Sequence, residues 1–433
     1  MRMKFNKSSQ LLLVSAVSLL VAGIITACGT DTVDFVFVAS SKAAGSNNYG
    51  EIDVFEINSV SGFMRQIRTS PFPSGGRNPV AETVSSDNTN LYVVNEDDSS
   101  IVQFLIGSDG KLYPQNTYDT TGNYSATGTE SPVGIFPLAV TVSGTNLFVV
   151  NTYQPLTTCS SADPCAGSVG VFPILSAAQA QALTPPVPTD SLGTPATNPS
   201  TGTNYWPLTL PSSPNDVIVP TAVNALKSGT NVFVTGYDVS VTPNVGYIFG
   251  FTVGSGGVLT PLSASPHNMG VGATGLGVHP SAIASDTING VSYVYVTDST
   301  NGLLISYSVG ASDLTRLGAS ATGNQPSAIV VDPQYLYAYV ANSLDGTVSA
   351  YTIGSSGTLT SIGSFTAGLQ PVAIGIDPSA NHFLFTVNFL GNDISDFELS
   401  TTTGALTNAQ SSPYTANAQP TAVAAIPHGH SSQ

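Results

Sequence analysis

The chain is poor in charge. Of its 433 residues only 10 are Lys or Arg, against 26 Asp or Glu, and charged residues make up 8% of the whole. A nucleic-acid-binding surface neutralises phosphates with clustered Lys and Arg, so a partner of that class is excluded. Cysteines number three and histidines five, and neither type clusters at metal-ligand spacing. No metal is therefore expected. The sequence also lacks G-x-S-x-G, H-E-x-x-H and P-loop motifs, and no cofactor is expected. "GVGATG" at 270–275 has dinucleotide-loop spacing, but no helix pattern follows and Pro280 soon opens a strand pattern, so it reads as a loop. Apolar residues reach 41%, and Gly (42) and Pro (29) are frequent without reaching disordered proportions. The composition is that of a turn-rich, foldable chain.

Long apolar runs are absent but for "LLLVSAVSLLVAGII" at 11–25, which follows Arg2, Lys4 and Lys7. Residues 1–27 have the form of an export signal. The stretch Ile25-Thr26-Ala27-Cys28 resembles the lipobox of bacterial lipoproteins. That resemblance implies cleavage before Cys28, a diacylglyceryl group on its thiol, a short tether over 28–32, and a place in the cell envelope, on the outer membrane or surface of a bacterium. Removing the leader leaves seven basic residues against 26 acidic ones, a mature charge near −19. In an exported protein Cys159 and Cys165, which bracket "SSADP", are expected to form a disulfide.

What the chain has in abundance is repetition. The phrase x-Pro-x-Ala, followed by a short apolar run, occurs seven times, with prolines at 79, 137, 220, 280, 326, 371 and 420. A β-branched and aromatic phrase also occurs seven times: "FVFVAS", "LYVVN", "LFVVN", "VFVTG", "VYVTD", "AYVAN" and "LFTVN", starting at 35, 91, 147, 232, 294, 338 and 384. A third set, such as "GTVSAYTI" at 346–353, alternates with the period of a half-buried strand. A Gly-containing turn and a weak fourth strand follow most of these. Four short antiparallel strands in units of about 45 residues predict an all-β, seven-bladed propeller over 33–427. The chain starts on a second phrase and ends on an unaccompanied first phrase, so the C-terminal strand is expected to complete the first blade and remove a sheet edge.

The phrases "LYVVN" and "AYVAN", the "VDP" and "IDP" steps and the "GSSGTLT" turn resemble the seven-bladed lactonase propellers, which include 6-phosphogluconolactonases, and the related YVTN repeat proteins. The resemblance implies lactone hydrolysis by histidines and an arginine beside the inner-strand prolines. Here the matching places read Pro79-Val80-Ala81, Pro137-Leu138-Ala139 and Pro220-Thr221-Ala222, without an acid, a base or a cation. The expectation is therefore a monomeric, membrane-anchored protein that binds a small polar ligand or another cell-envelope protein. The alternative is a lactonase acting on a sugar or aromatic-acid lactone.

Starts of inner strands and ends of second strands share one face of a propeller. That rim should gather Asn78, His279, Gln325, Gln370 and Gln419 beside the prolines, with Asn95, Asn151, Asp298, Asn342 and Asn388 at the strand ends. These form either an amide-lined pocket or a set of turn-satisfying side chains. Arg77, Glu82 and His279 are the grouping there that combines cation, acid and base, and so the candidate catalytic set. "NEDDSS" at 95–100 suits an acidic hairpin turn better than calcium. The insertion over 175–219 holds Trp206, and either leaves the surface as a disordered excursion or folds over the rim, where Tyr205 and Trp206 could stack on a sugar face. Residues 428–433 read as a frayed tail.

Overall fold

Each first, second and third phrase becomes a strand, in that order, and the pattern closes into a ring. The computed structural model describes residues 32–44, 48–58, 61–122, 131–270, 277–332, 334–378 and 383–427. Cys28 with the leader, residues 271–275 of the glycine-rich loop, and the 428–433 tail lie outside the described residues. Seven antiparallel sheets of four strands or more follow one another. Blade 2 spans residues 79–119, blade 3 135–207, blade 4 218–270, blade 5 280–321, blade 6 326–366 and blade 7 371–415. Blade 1 joins the chain ends. Its inner strand is Pro420–Pro427, paired with Thr32–Ala44 from Asp34↔Pro427 to Ser40↔Pro420.

The second strands are rich in β-branched and aromatic residues because neighbouring blades cover both of their faces. Asn90–Asn95, Tyr337–Asn342 and Phe383–Asn388 are buried along their whole length. Alternate side chains leave each strand in opposite directions. Phe35 and Phe37 meet Leu91 and Val93 of blade 2, while Val36 and Val38 meet Phe385 and Val387 of blade 7. The molecule thus has seven hydrophobic cores, one at each blade interface.

The weak fourth strands have a local explanation. In blades 1, 4 and 7 the outer strand is split at a Ser-Pro step, and the serine hydroxyl replaces the missing ladder carbonyl. Ser70 accepts from Val54 N at 2.8 Å, Ser265 from Gly250 N at 3.0 Å and Ser412 from Asp396 N at 2.9 Å.

The 175–219 insertion is ordered and runs along the flank of the ring, not over its mouth. It begins with a short helix, Ala177–Ala182, capped by Ser176, and supplies the outer strand of blade 3, Tyr205–Pro207. Tyr92 of blade 2 donates to Asp190 O at 2.6 Å. On the other side Trp206, 3% exposed, sits in the blade 3–4 core and donates to Leu259 O at 2.9 Å. Burying the aromatic side chain between two blades outweighs presenting it to solvent. Cys159 and Cys165 are disulfide-bonded in the second turn of blade 3, with Cα atoms 5.5 Å apart.

Candidate functional site

All seven inner strands carry the same proline and bulge, at the first residue in five blades and two residues in at Pro137 and Pro220. The proline pairs with the end of the second strand, and a β-bulge follows at once: Pro79↔Asn95 then Ala81↔Val94, Pro280↔Asp298 then Ala282↔Thr297, Pro326↔Asn342 then Ala328↔Ala341. A bulge leaves one residue without a partner and re-aims its side chain. That residue is Val80, Leu138, Thr221, Ser281, Ser327, Val372 or Thr421, according to blade. Where it carries a hydroxyl it often reaches the next blade. Ser281 Oγ donates to Pro326 O at 2.6 Å, Ser327 Oγ to Pro371 O at 2.8 Å and Thr421 Oγ1 to Pro79 O at 2.7 Å.

Residues before the prolines turn the chain onto the rim. Asn78, Gln325, Gln370 and Gln419 have φ of 54°, 52°, 56° and 62°, the left-handed region that Asn tolerates and other L residues seldom adopt. Their carbonyls accept from the residue after the second strand: Glu96 N to Asn78 O at 3.0 Å, Ser343 N to Gln325 O and Phe389 N to Gln370 O at 2.9 Å, and Ser41 N to Gln419 O at 2.9 Å.

The strand-end residues are placed differently. Asn95, Asn151, Asn342 and Asn388 are fully buried and Asp298 is 1% exposed. Asn342 accepts from Gly323 N at 3.0 Å and donates to Ser349 Oγ at 2.9 Å, and Asn388 Nδ2 donates to Asp393 Oδ1 at 2.6 Å. Asp298 Oδ1 accepts from His279 N at 3.2 Å and its Oδ2 from Asn301 Nδ2 at 2.6 Å. Glycines lie flat against all four of these amides, Gly76, Gly134, Gly323 and Gly368 in turn. A Cβ on Gly134 would come within 2.2 Å of Asn151, and one on Gly368 within 2.3 Å of Asn388. These five side chains lock the turns from inside and do not face open space.

Open space lies between blades 5 and 6. A cleft of about 700 Å³ at the mouth is lined by His279, Ser281, Asn301, Asn324, Gln325 and Ser327, with the Ser299 and Ser343 hydroxyls and Leu344 at its edge. Among the described residues, no Lys, Arg, Asp or Glu lines it. His279 is fixed on two sides: its ring stacks on Tyr237, centroids 4.3 Å apart, and Nε2 lies 2.9 Å from Asn244 Nδ2. The stack on Tyr237 and the contact with Asn244 together fix the plane of the imidazole at the cleft wall. Asn324 is held by Asp345 through its N at 2.7 Å and its Nδ2 at 2.9 Å.

The structure does not bring the other two candidate catalytic residues to this cleft. Arg77, on the entry to blade 2, donates to Asp98 Oδ1 at 2.7 Å, three blades away. Glu82 lies in the inner strand of blade 2 with both carboxylate oxygens shielded from water. Burial pushes its carboxyl up to about 8, an effect the Ala39 and Ala424 backbone amides only partly offset. Of the sequence-based rim set, His279 and Gln325 line the cleft, while Asn78, Gln370 and Gln419 sit on other blades. Tyr237, Asn244, Ser281, Asn301, Asn324 and Ser327 complete the site without having been singled out. The one available signal is "PSAI", which puts serine after proline in two consecutive repeats.

This ring of seven Pro-bulge strands around a polar mouth can be set beside known proteins. Residues 293–433 match the family model described as lactonase, 7-bladed beta-propeller. The fold is that of a lactonase-like propeller. Among solved structures, a provisionally assigned 6-phosphogluconolactonase from Bacteroides fragilis has 19% identity and a TM-score of 0.66, over 92% of this chain and 99% of that one. The periplasmic gluconolactonase of Pseudomonas aeruginosa has 16% identity and a TM-score of 0.66, over 91% and 99%. A protein from Lactobacillus plantarum has 15% identity and a TM-score of 0.64, over 91% and 99%. At these identities the likeness of the lactonase-like propeller to its neighbours is one of fold. No curated protein matches the chain.

Proposed function

We propose that the protein binds a neutral polyhydroxylated ligand, a sugar or sugar lactone, in the cleft between blades 5 and 6, and that acylation at Cys28 holds it to a bacterial membrane. The observation that carries this reading is the lining. Hydroxyls, amides and one imidazole converge on a concave site without an ionic group, which suits hydrogen bonding to hydroxyls and leaves a phosphate or carboxylate without a counter-charge. The strand Thr32–Ala44 starts at the end opposite the prolines, so a tether at Cys28 leaves the cleft facing away from the bilayer.

A second reading, hydrolysis of such a lactone, draws on the fold and on His279. Against it stands the lining, which places no carboxylate or cation beside His279 to assist it, while Nε2 is already in contact with Asn244 at 2.9 Å.

Thermal-shift titration of the purified protein with glucono-lactone, gluconate and 6-phosphogluconate tests the assignment. Stabilisation by the neutral compound alone, abolished in Gln325→Ala and Asn324→Ala, is the expected result. Preference for the phosphorylated acid would overturn it. Lactone turnover above the spontaneous rate that disappears in His279→Ala would promote the second reading.

A further inference from the structure

Three leucines stand out of the rim face with most of their surface in water: Leu369 is 69% exposed, Leu344 66% and Leu390 63%, well above every other exposed large apolar residue described. They belong to neighbouring segments. Leu344 is in the second turn of blade 6, Leu369 in the connection from blade 6 to blade 7, and Leu390 in the second turn of blade 7. Backbone hydrogen bonds tie these segments together. Ala367 N donates to Gly346 O at 2.8 Å, and Gly391 N to Leu369 O at 3.1 Å. The three leucines thus stand on adjoining, backbone-tied segments of one rim face, beside the cleft that Leu344 helps to line. Contiguous exposed apolar surface rimmed by polar groups marks an interaction site.

Charge selects the occupant. The sequence has no Lys or Arg after Arg316, so blades 6 and 7 carry no Lys or Arg, while Asp345 shares the turn of Leu344 and Asp393 opens the strand that follows the turn of Leu390. A second copy of this chain would bring the same acidic surface, without Lys or Arg, against itself, which like-charge repulsion disfavours. A bilayer is disfavoured by an acidic surface facing anionic headgroups and by the first strand, which starts on the opposite face.

We propose that the Leu344–Leu369–Leu390 patch is a docking surface for a protein segment that presents apolar side chains flanked by Lys or Arg. Apolar contact supplies affinity, and the acidic turns steer the basic flanks.

The probe is a synthetic amphipathic helix of leucine and lysine, titrated calorimetrically into purified, unacylated protein. The expected result is saturable binding that weakens about tenfold or more in the triple variant Leu344→Ser/Leu369→Ser/Leu390→Ser, as loss of three apolar contacts requires. Val291→Ser, on the opposite face, should bind as the wild type does. Melting by circular dichroism should be unchanged in both, since the substituted side chains are exposed. Equal binding by the triple variant, or equally tight binding of a leucine–glutamate helix, would sink the proposal. So would leucine-dependent dimers in sedimentation, which assign the patch to a second copy, or leucine-dependent co-sedimentation with phosphatidylcholine vesicles, which assign it to lipid.

Discussion

The Ser281 hydroxyl of blade 5 donates to the Pro326 carbonyl of blade 6 at 2.6 Å. The contact is not local to either sheet. It joins the bulge of one inner strand to the first residue of the next, and Ser327 repeats it towards Pro371 at 2.8 Å. The mouth of the ring is therefore stitched from blade to blade on the side that holds the cleft.

Ser281→Ala and Ser327→Ala should each lower the unfolding free energy by about 1 kcal/mol, the net contribution of one hydrogen bond. Denaturant titration measures this. Valine already occupies the equivalent place at Val80 and Val372, so both variants should fold, and a loss near zero would show that water replaces the contact.

Glu82 makes stability depend on pH. Its folded carboxyl titrates near 8 because it is buried, against an ordinary value of 4.5, so the folded state holds a proton that the unfolded state releases. The stabilisation is complete below about pH 4.5 and is lost as pH rises through 8. Asp53, raised to about 6 by burial, adds a similar slope over a lower window. Glu82→Gln should flatten the curve between about pH 6 and 8 and leave the Asp53 slope below that in place. Denaturation midpoints that stay parallel for wild type and variant across that range would refute the assignment.

Trp206 separates an architectural part for the insertion from a ligand-stacking one. Trp206→Ala should cost about 3–5 kcal/mol, the usual loss for a large buried aromatic, while Trp206→Phe should cost less and leave the Leu259 carbonyl unpaired. Ligand affinity at the blade 5–6 cleft should be unaffected by Trp206→Phe. A selective loss of binding with unchanged melting would place the ligand under the insertion.

Removing residues 419–433 takes away the inner strand of blade 1 and leaves Thr32–Ala44 with an open edge. The truncated chain should be recovered in the insoluble fraction, or melt far below the intact one. An unchanged melting curve would mean that the ring holds without its clasp.

The ring was legible because strands report themselves through period and composition, and because the count of first phrases exposed the closure by Pro420–Pro427. The site was less so. An Asn at a strand end can face the mouth or fold back on the turn, and the same residue type suits both. Burial of Asn342 against Gly323 N decides for the turn, and nothing in "AYVAN" states it. The cleft depends on how two blades lean apart and how loops such as 299–302 and 322–325 sit, which is long-range geometry. Ser281 and Ser327 were visible as departures from the Val, Leu and Thr that fill the bulge elsewhere. Tyr237 and Asn244, which fix His279 from blade 4, lie more than thirty residues before it and share no motif with it.

Pairing the first strand with the last also sets a timetable. Blade 1 lacks its innermost strand until Pro420–Pro427 has been made and delivered, so no shorter intermediate of the chain can bring the ring to its final state. The closing contact joins residues almost 400 positions apart, from Asp34 to Pro427, and long-range pairings of this kind carry the largest loop-closure cost. Until then the edge of Thr32–Ala44 is open to any passing strand. The closing pair is thereby a test of completeness, and a chain cut short anywhere before Gln419 fails it.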